Sequence, residues 1–84
     1  MSPTELLSHV RHEPFRPFRL VLTNGAVHNI HHPDQCMVMP KALVVGETTD
    51  PDGGLIEWTI TLKYWLVARV EPLPAVSEVI AASA

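Results

Sequence analysis

The stretch Arg19-Leu20-Val21-Leu22-Thr23-Asn24-Gly25-Ala26-Val27-His28-Asn29-Ile30 decides how this chain is read. Apolar and β-branched residues flank Asn24-Gly25 on both sides. That pair tolerates positive φ and so supplies the tight turn that twisted antiparallel strands need. A β-hairpin is therefore expected near the start of the domain. Across 18–23, Phe18, Leu20 and Leu22 alternate with Arg19, Val21 and Thr23, which places the first set on a core face. Leu22 is accordingly expected to be a core residue, whose truncation to alanine costs roughly 2–5 kcal/mol. Past the turn, Val27 and Ile30 lie three apart and break the period of two. A bulge near His28-Asn29 would return both to the core.

Upstream of the hairpin, Ser2-Pro3-Thr4-Glu5 has the spacing of a capping box, with Pro3 at the first helical position. Leu6, Leu7 and Val10 form one apolar stripe, so a helix over 3–12 is expected, stopped by Pro14. The doubled unit Pro14-Phe15-Arg16-Pro17-Phe18-Arg19 follows. Its prolines stiffen the chain, and its phenylalanines are suited to filling the gap between helix and sheet.

Downstream, Cys36-Met37-Val38-Met39 reads as a short strand closed by Pro40. Ala42-Leu43-Val44-Val45-Gly46 is apolar on both faces and so central or covered. Asp50-Pro51-Asp52-Gly53-Gly54 is a dense turn signal. Ile56, Trp58, Ile60 and Leu62 then alternate with Glu57, Thr59, Thr61 and Lys63, the pattern of a half-buried strand. Lys63-Tyr64-Trp65 reads as a corner, and 66–71 as the last strand, ended by Pro72. Residues 1–13 thus read as a capping helix, 14–73 as a β-barrel domain, and 74–84 as a flexible or weakly helical tail.

The chain has 84 residues, 46% of them hydrophobic, which suits one small domain with a packed core. A formal net charge of −3 disfavours nucleic-acid binding through bulk electrostatics, because neutralising phosphates needs clustered Lys and Arg. The single cysteine, Cys36, excludes an internal disulfide. No signal peptide or membrane span is read, so a cytoplasmic protein with no membrane partner is expected.

Few residues point to chemistry. His28, His31 and His32, with Asp34 beside them, are weak metal candidates. On a strand, however, His31 and His32 face opposite ways, so neither a metal nor any other cofactor is expected. Cys36 with a histidine base would make a nucleophile, but a small barrel has little room for a pocket and an oxyanion hole. A buried cysteine acting as a small hydrophobe is the simpler expectation. Asp50 and Asp52 with two glycines lack the distal glutamate of a calcium loop, and turn formation accounts for them. No phosphate loop, carboxylate pair or nucleophile elbow is present, so no enzyme activity is expected.

One helix followed by about five short strands with a tight first hairpin resembles the Sm-like layout. That resemblance implies a bent, five-stranded Sm-like or SH3-like barrel. Leu20-Val21-Leu22-Thr23-Asn24-Gly25 is similar to its first turn, and Lys63 through Pro72 to its last strand. Bacterial Sm-like RNA chaperones carry a Tyr-Lys-His group where this chain has Lys63, Tyr64 and Trp65, so that RNA site is not carried over. The strings 14–19, Leu22-Thr23-Asn24-Gly25, His32-Pro33-Asp34, 42–46 and Val70-Glu71-Pro72-Leu73 also resemble a group of small bacterial proteins of unknown function. That likeness implies a small free-standing bacterial domain and brings no activity.

The expected role is a non-enzymatic binding or scaffold module. Trp58, Tyr64, Trp65 and Arg69 are its candidate binding residues, because Trp, Tyr and Arg dominate interface hot spots. The partner is expected to be a protein or another copy, with the edge of the last strand, 66–71, as a route to a homo-oligomer. The alternative is an Sm-like oligomer binding RNA, favoured if Arg11, Arg16, Arg19, Lys41 and Lys63 cluster on one face. A histidine-dependent metal enzyme is the third.

Overall fold

Pro33 marks the change of direction, because a residue without an N–H cannot donate to a ladder and its fixed φ suits the start of a turn. The computed structural model describes residues 1–73. In it Pro33 opens a short 3-10 turn (Pro33–Gln35) that carries the chain out of one sheet and into another.

Helix α1 (Pro3–Val10) comes first, and the Ser2 hydroxyl accepts from the Glu5 amide at 3.2 Å. It stops two residues short of the expected end, with Arg11 as its C-cap. The first sheet has β1 (Phe18–Leu22) at its centre, between β2 (Val27–Ile30) and β6 (Val67–Pro72), all antiparallel. The second has β4 (Leu43–Glu47) at its centre, between β3 (Cys36–Val38) and β5 (Trp58–Leu62), also antiparallel. Another 3-10 turn, Tyr64–Leu66, returns the chain from β5 to β6. There the Leu66 carbonyl accepts from the Thr23 amide at 2.8 Å, which ties this corner to the first hairpin.

The core lies between the inner faces of the two sheets. Phe18, Leu20, Leu22, Ile30 and Val67 come from the first sheet, and Cys36, Leu43, Val45 and Leu62 from the second. Leu6 of α1 and Tyr64 complete it. Phe18 is stacked at a tilt against both Phe15 and His9, so the doubled Pro-Phe-Arg unit packs between helix and sheet.

The expectation of a five-stranded Sm-like or SH3-like barrel is overturned. Six strands form two separate three-stranded sheets, and no closed barrel is present among the described residues. The 3-10 turn at Pro33–Gln35 is the physical reason, since it divides β2 from β3 and assigns each to a different sheet. The tail expected over 74–84 lies outside the described residues.

The bulge also sits elsewhere. β2 pairs with β1 in unbroken register from Phe18 opposite Ile30 to Val21 opposite Val27. The irregularity falls instead between Val21 and Leu22, where β1 meets β6. Val27 faces outward and is exposed, because the inward place that a bulge would have given it belongs to His28.

At the hairpin only Gly25 takes a positive φ, +88°, and Asn24 does not. The Gly25 amide donates to the Leu22 carbonyl at 3.0 Å, and the Asn24 Oδ1 accepts from the Ala26 amide at 2.9 Å. A Cβ on Gly25 would meet no atom within 4 Å, so backbone strain alone opposes a side chain. Gly25→Val is expected to destabilise the domain by about 1 kcal/mol or more. A urea midpoint equal to the parent's would refute that.

Candidate functional site

β2 and β4 each carry a polar residue at an inward-facing position near the end of the strand. His28 shares its face with Ile30, and Glu47 shares its face with Leu43 and Val45. Their side chains meet across the gap between the sheets, His28 Nδ1 to Glu47 Oε1 at 2.5 Å, both only partly exposed. The pair closes one rim of the core and joins two sheets that share no ladder. Trp58 stands opposite Glu47 in the β4–β5 ladder, so it lies on the same face at the same rim.

Behind the rim sits Gln35, the buried polar residue of the core. Its Oε1 accepts from the His31 amide at 2.7 Å and the His32 amide at 2.9 Å, while its Nε2 donates to the Gly46 carbonyl at 3.2 Å. Gln35 therefore clips the end of β2 to β4. It was not singled out from the sequence, although a signal exists. His32-Pro33-Asp34-Gln35 repeats the pattern of Ser2-Pro3-Thr4-Glu5, a cap, a proline and then a Glu or Gln three residues on.

The weak metal candidates are placed as follows. His28 is engaged with Glu47, and the backbone amides of His31 and His32 are held by Gln35. Among the described residues, no three His, Cys, Asp or Glu side chains come together in a way that would hold an ion. Cys36 is buried in the core, and burial pushes its pKa up to about 11. Its thiol is therefore neutral at pH 7, the opposite of what a nucleophile needs. The folded protein is expected to react with a disulfide reagent only at the rate of unfolding. Because the folded thiol keeps its proton to a higher pH than the unfolded one, stability is expected to fall as the pH rises from 9.0 through about 11. Fast labelling of folded protein at pH 7 would show that Cys36 is accessible.

The four candidate binding residues are separated. Tyr64 is 8% exposed, and its hydroxyl donates to the Met39 carbonyl at 2.5 Å, so it serves the core. Burial raises its pKa above the ordinary tyrosine value. Trp58 is 47% exposed at the start of β5, and Trp65 is 72% exposed on the turn beyond its other end. Five strand residues span roughly 13 Å from first to last, which sets the two indoles apart. Arg69 is exposed on β6 and pairs with Glu71 at 3.3 Å.

The segment that leads into Trp58 is exposed as well. Leu55 is 76% exposed, and Ile56, also exposed, lies over Gly46, filling the space where a Cβ of that glycine would be, 2.6 Å from its Cδ1. Between Ile56 and Trp58, the Glu57 carboxylate is pinned at Oε1 by the Thr49 amide and by the Thr48 and Thr49 hydroxyls. The hydrogen bond from the Thr49 backbone, and then those from the two hydroxyls, hold its pKa below the usual glutamate value. Glu57 thus keeps its charge to a lower pH than an ordinary glutamate.

No family model, curated protein or solved structure matches the chain. Function must therefore be argued from this geometry alone.

A second surface lies between α1 and the first sheet. His9, His12, Arg16, Pro17, Phe18, Val70 and Pro72 border an open groove of about 300 Å³. The His12 Nδ1 is committed there to the Pro14 carbonyl at 2.9 Å. The basic residues fall in two parts of the fold. Arg11 caps the end of α1, Arg16 lies in the linker, and Arg19 and Arg69 lie on the paired strands β1 and β6, whereas Lys41 and Lys63 lie at the β3–β4 turn and just after β5. Among the described residues, no helix is long and apolar enough to cross a membrane.

Proposed function

We propose that this chain is a non-enzymatic protein-binding module that uses Trp58 and the free edge of β5, with the exposed Leu55 and Ile56 before it in the chain. The observation that carries this reading is a half-exposed tryptophan on a strand that has one neighbour among the described residues. An extended segment that pairs with such an edge gains main-chain hydrogen bonds, and the adjoining apolar side chains select what it carries. Tryptophan is among the residues that dominate interface hot spots. The half-buried His28–Glu47 pair supports the rim from behind and holds the two sheets at a fixed spacing there. Tyr64 drops out of the binding set because it is committed to the core.

An RNA-binding role draws less support, since the basic residues are divided between two parts of the fold and the net charge is −3. Catalysis draws none from Cys36, a neutral buried thiol.

Selecting a random-peptide library against the folded protein tests the proposal. Extended peptides are expected to be enriched, and Trp58→Ser is expected to weaken them by about tenfold or more while Trp65→Ser leaves them unchanged. Peptides that bind Trp58→Ser as tightly as the parent would overturn it, as would failure to enrich any.

A further inference from the structure

We infer that the occupant of the β5 edge is the β5 edge of a second copy, paired antiparallel about a two-fold axis at Ile60. This rests on the reading of that edge as the binding surface and names its partner.

The argument begins with the sequence of the edge, Glu57-Trp58-Thr59-Ile60-Thr61-Leu62-Lys63. When this segment is laid antiparallel against itself with Ile60 opposite Ile60, each other residue meets a suitable partner. Thr59 faces Thr61, Trp58 faces Leu62, and Glu57 faces Lys63. The two-fold axis makes every one of these pairs occur twice. Threonine pairs, aromatic–aliphatic pairs and opposite charges are the cross-strand combinations that stabilise a sheet. A shift by one residue in either direction would lose the charge match.

Side-chain direction agrees with this register. Thr59 and Thr61 occupy the outer face of the sheet, opposite Gly46 and Val44, and Glu57 and Lys63 continue their alternation. Both charged pairs therefore form on the solvent side, where they need no desolvation. Trp58, Ile60 and Leu62 share the inner face. The backbone is extended at the Lys63 end of the segment, and at the other end the Glu57 amide is taken by β4. The Glu57 amide donates to the Glu47 carbonyl at 2.9 Å, and Lys63 has φ −80° and ψ 146°. Thr48 and Thr49, on the β4 side of β5, hold Glu57 through one carboxylate oxygen, so its charge stands at a fixed place.

The other sheet edges among the described residues suit the role less well. β6 carries Pro72, which has no amide hydrogen to donate, and its Arg69 and Glu71 are already paired with each other. β2 has four residues and β3 three, which gives each a shorter ladder. Within β5 there is no charge and no proline, the two devices that normally protect an exposed edge. Pairing would join two three-stranded sheets into one of six strands.

The contact is small beside a standard interface, so a weak, concentration-dependent dimer is expected. Sedimentation of the full chain from micromolar to about 1 mM should show a monomer–dimer equilibrium. Lys63→Glu places like charges opposite each other twice and is expected to weaken the dimer by about tenfold. Glu57→Lys does the same from the other side, with circular dichroism to confirm that its fold survives loss of the Thr48–Thr49 anchor. Mixed in equal amounts, the two variants are expected to recover the parent's affinity as a heterodimer, which only this register allows. A chain that stays monomeric at about 1 mM overturns the inference, and so does a dimer or larger ring indifferent to Lys63→Glu. If the monomer still binds selected peptides through Trp58, the proposed function stands while the second copy is ruled out as the occupant.

Discussion

Leu20→Ala is expected to remove about 3–5 kcal/mol of folding free energy. Leu20 is fully buried on the central strand of the first sheet, opposite His28 on one side and Val70 on the other. Its side chain fills the space between the sheets, where α1 and the second sheet leave little room to collapse into the gap. A domain of this size has a total stability near the lower end of the usual range of about 5–15 kcal/mol. Losing 3–5 kcal/mol of that, roughly, leaves a protein that is partly unfolded at room temperature. Urea denaturation followed by circular dichroism measures the loss directly. Val27→Ala, on the exposed face of β2, serves as the control and is expected to cost under about 0.5 kcal/mol. A Leu20→Ala midpoint equal to that of Val27→Ala would mean that the inner face of β1 has been misassigned.

Gln35→Leu is expected to cost about 2–3 kcal/mol although it preserves volume and adds hydrophobicity. The reason is the groups it abandons. Two amides, of His31 and His32, lose their acceptor, and the carbonyl of buried Gly46 loses its donor. The two histidine amides are nearer the surface and recover water in part, whereas the Gly46 carbonyl does not. Gln35→Glu separates the contributions, since it keeps an acceptor for both amides but sets a carboxylate against the Gly46 carbonyl. Hydrogen exchange at His31 and His32 is the decisive measurement. Both amides are expected to exchange faster in Gln35→Leu and to stay protected in Gln35→Glu. Unchanged protection in the leucine variant would show that Gln35 does not clip β2 to β4.

These two residues also mark how far the sequence could be read. Leu20 follows from alternation alone, because a strand with period two next to a turn has only one choice of buried face. Leu22 is buried on the same grounds. The cap at Ser2, the positive φ of Gly25 and the central place of β4 are local as well, each set by residues within a few positions of one another. Gln35 has two local partners, the His31 and His32 amides, which its capping-box spacing could have shown, whereas the Gly46 carbonyl is brought to it only by packing.

The candidate site shows the same division. Aromatic and arginine content drew attention to Trp58, Tyr64, Trp65 and Arg69, but composition does not say which aromatics a core will absorb. Tertiary packing placed Tyr64 inside and left Trp58 on an open edge. It also supplied His28 with Glu47, nineteen residues away, which is why β2 needs no bulge to keep a polar residue off its inner face.

By itself, the sequence determined the strands, the turns, the helix start and the inward set of β1, since all depend on backbone preferences and periodicity over a few residues. Only the tertiary structure decided that the strands divide into two open three-stranded sheets rather than one closed barrel. Ladder partners lie far apart in the chain, as β1 and β6 do, and the hydrogen bonds that distinguish a closed barrel from two facing sheets leave no mark on local sequence. The same physics decided which edge stayed open, and with it where this protein can meet a partner.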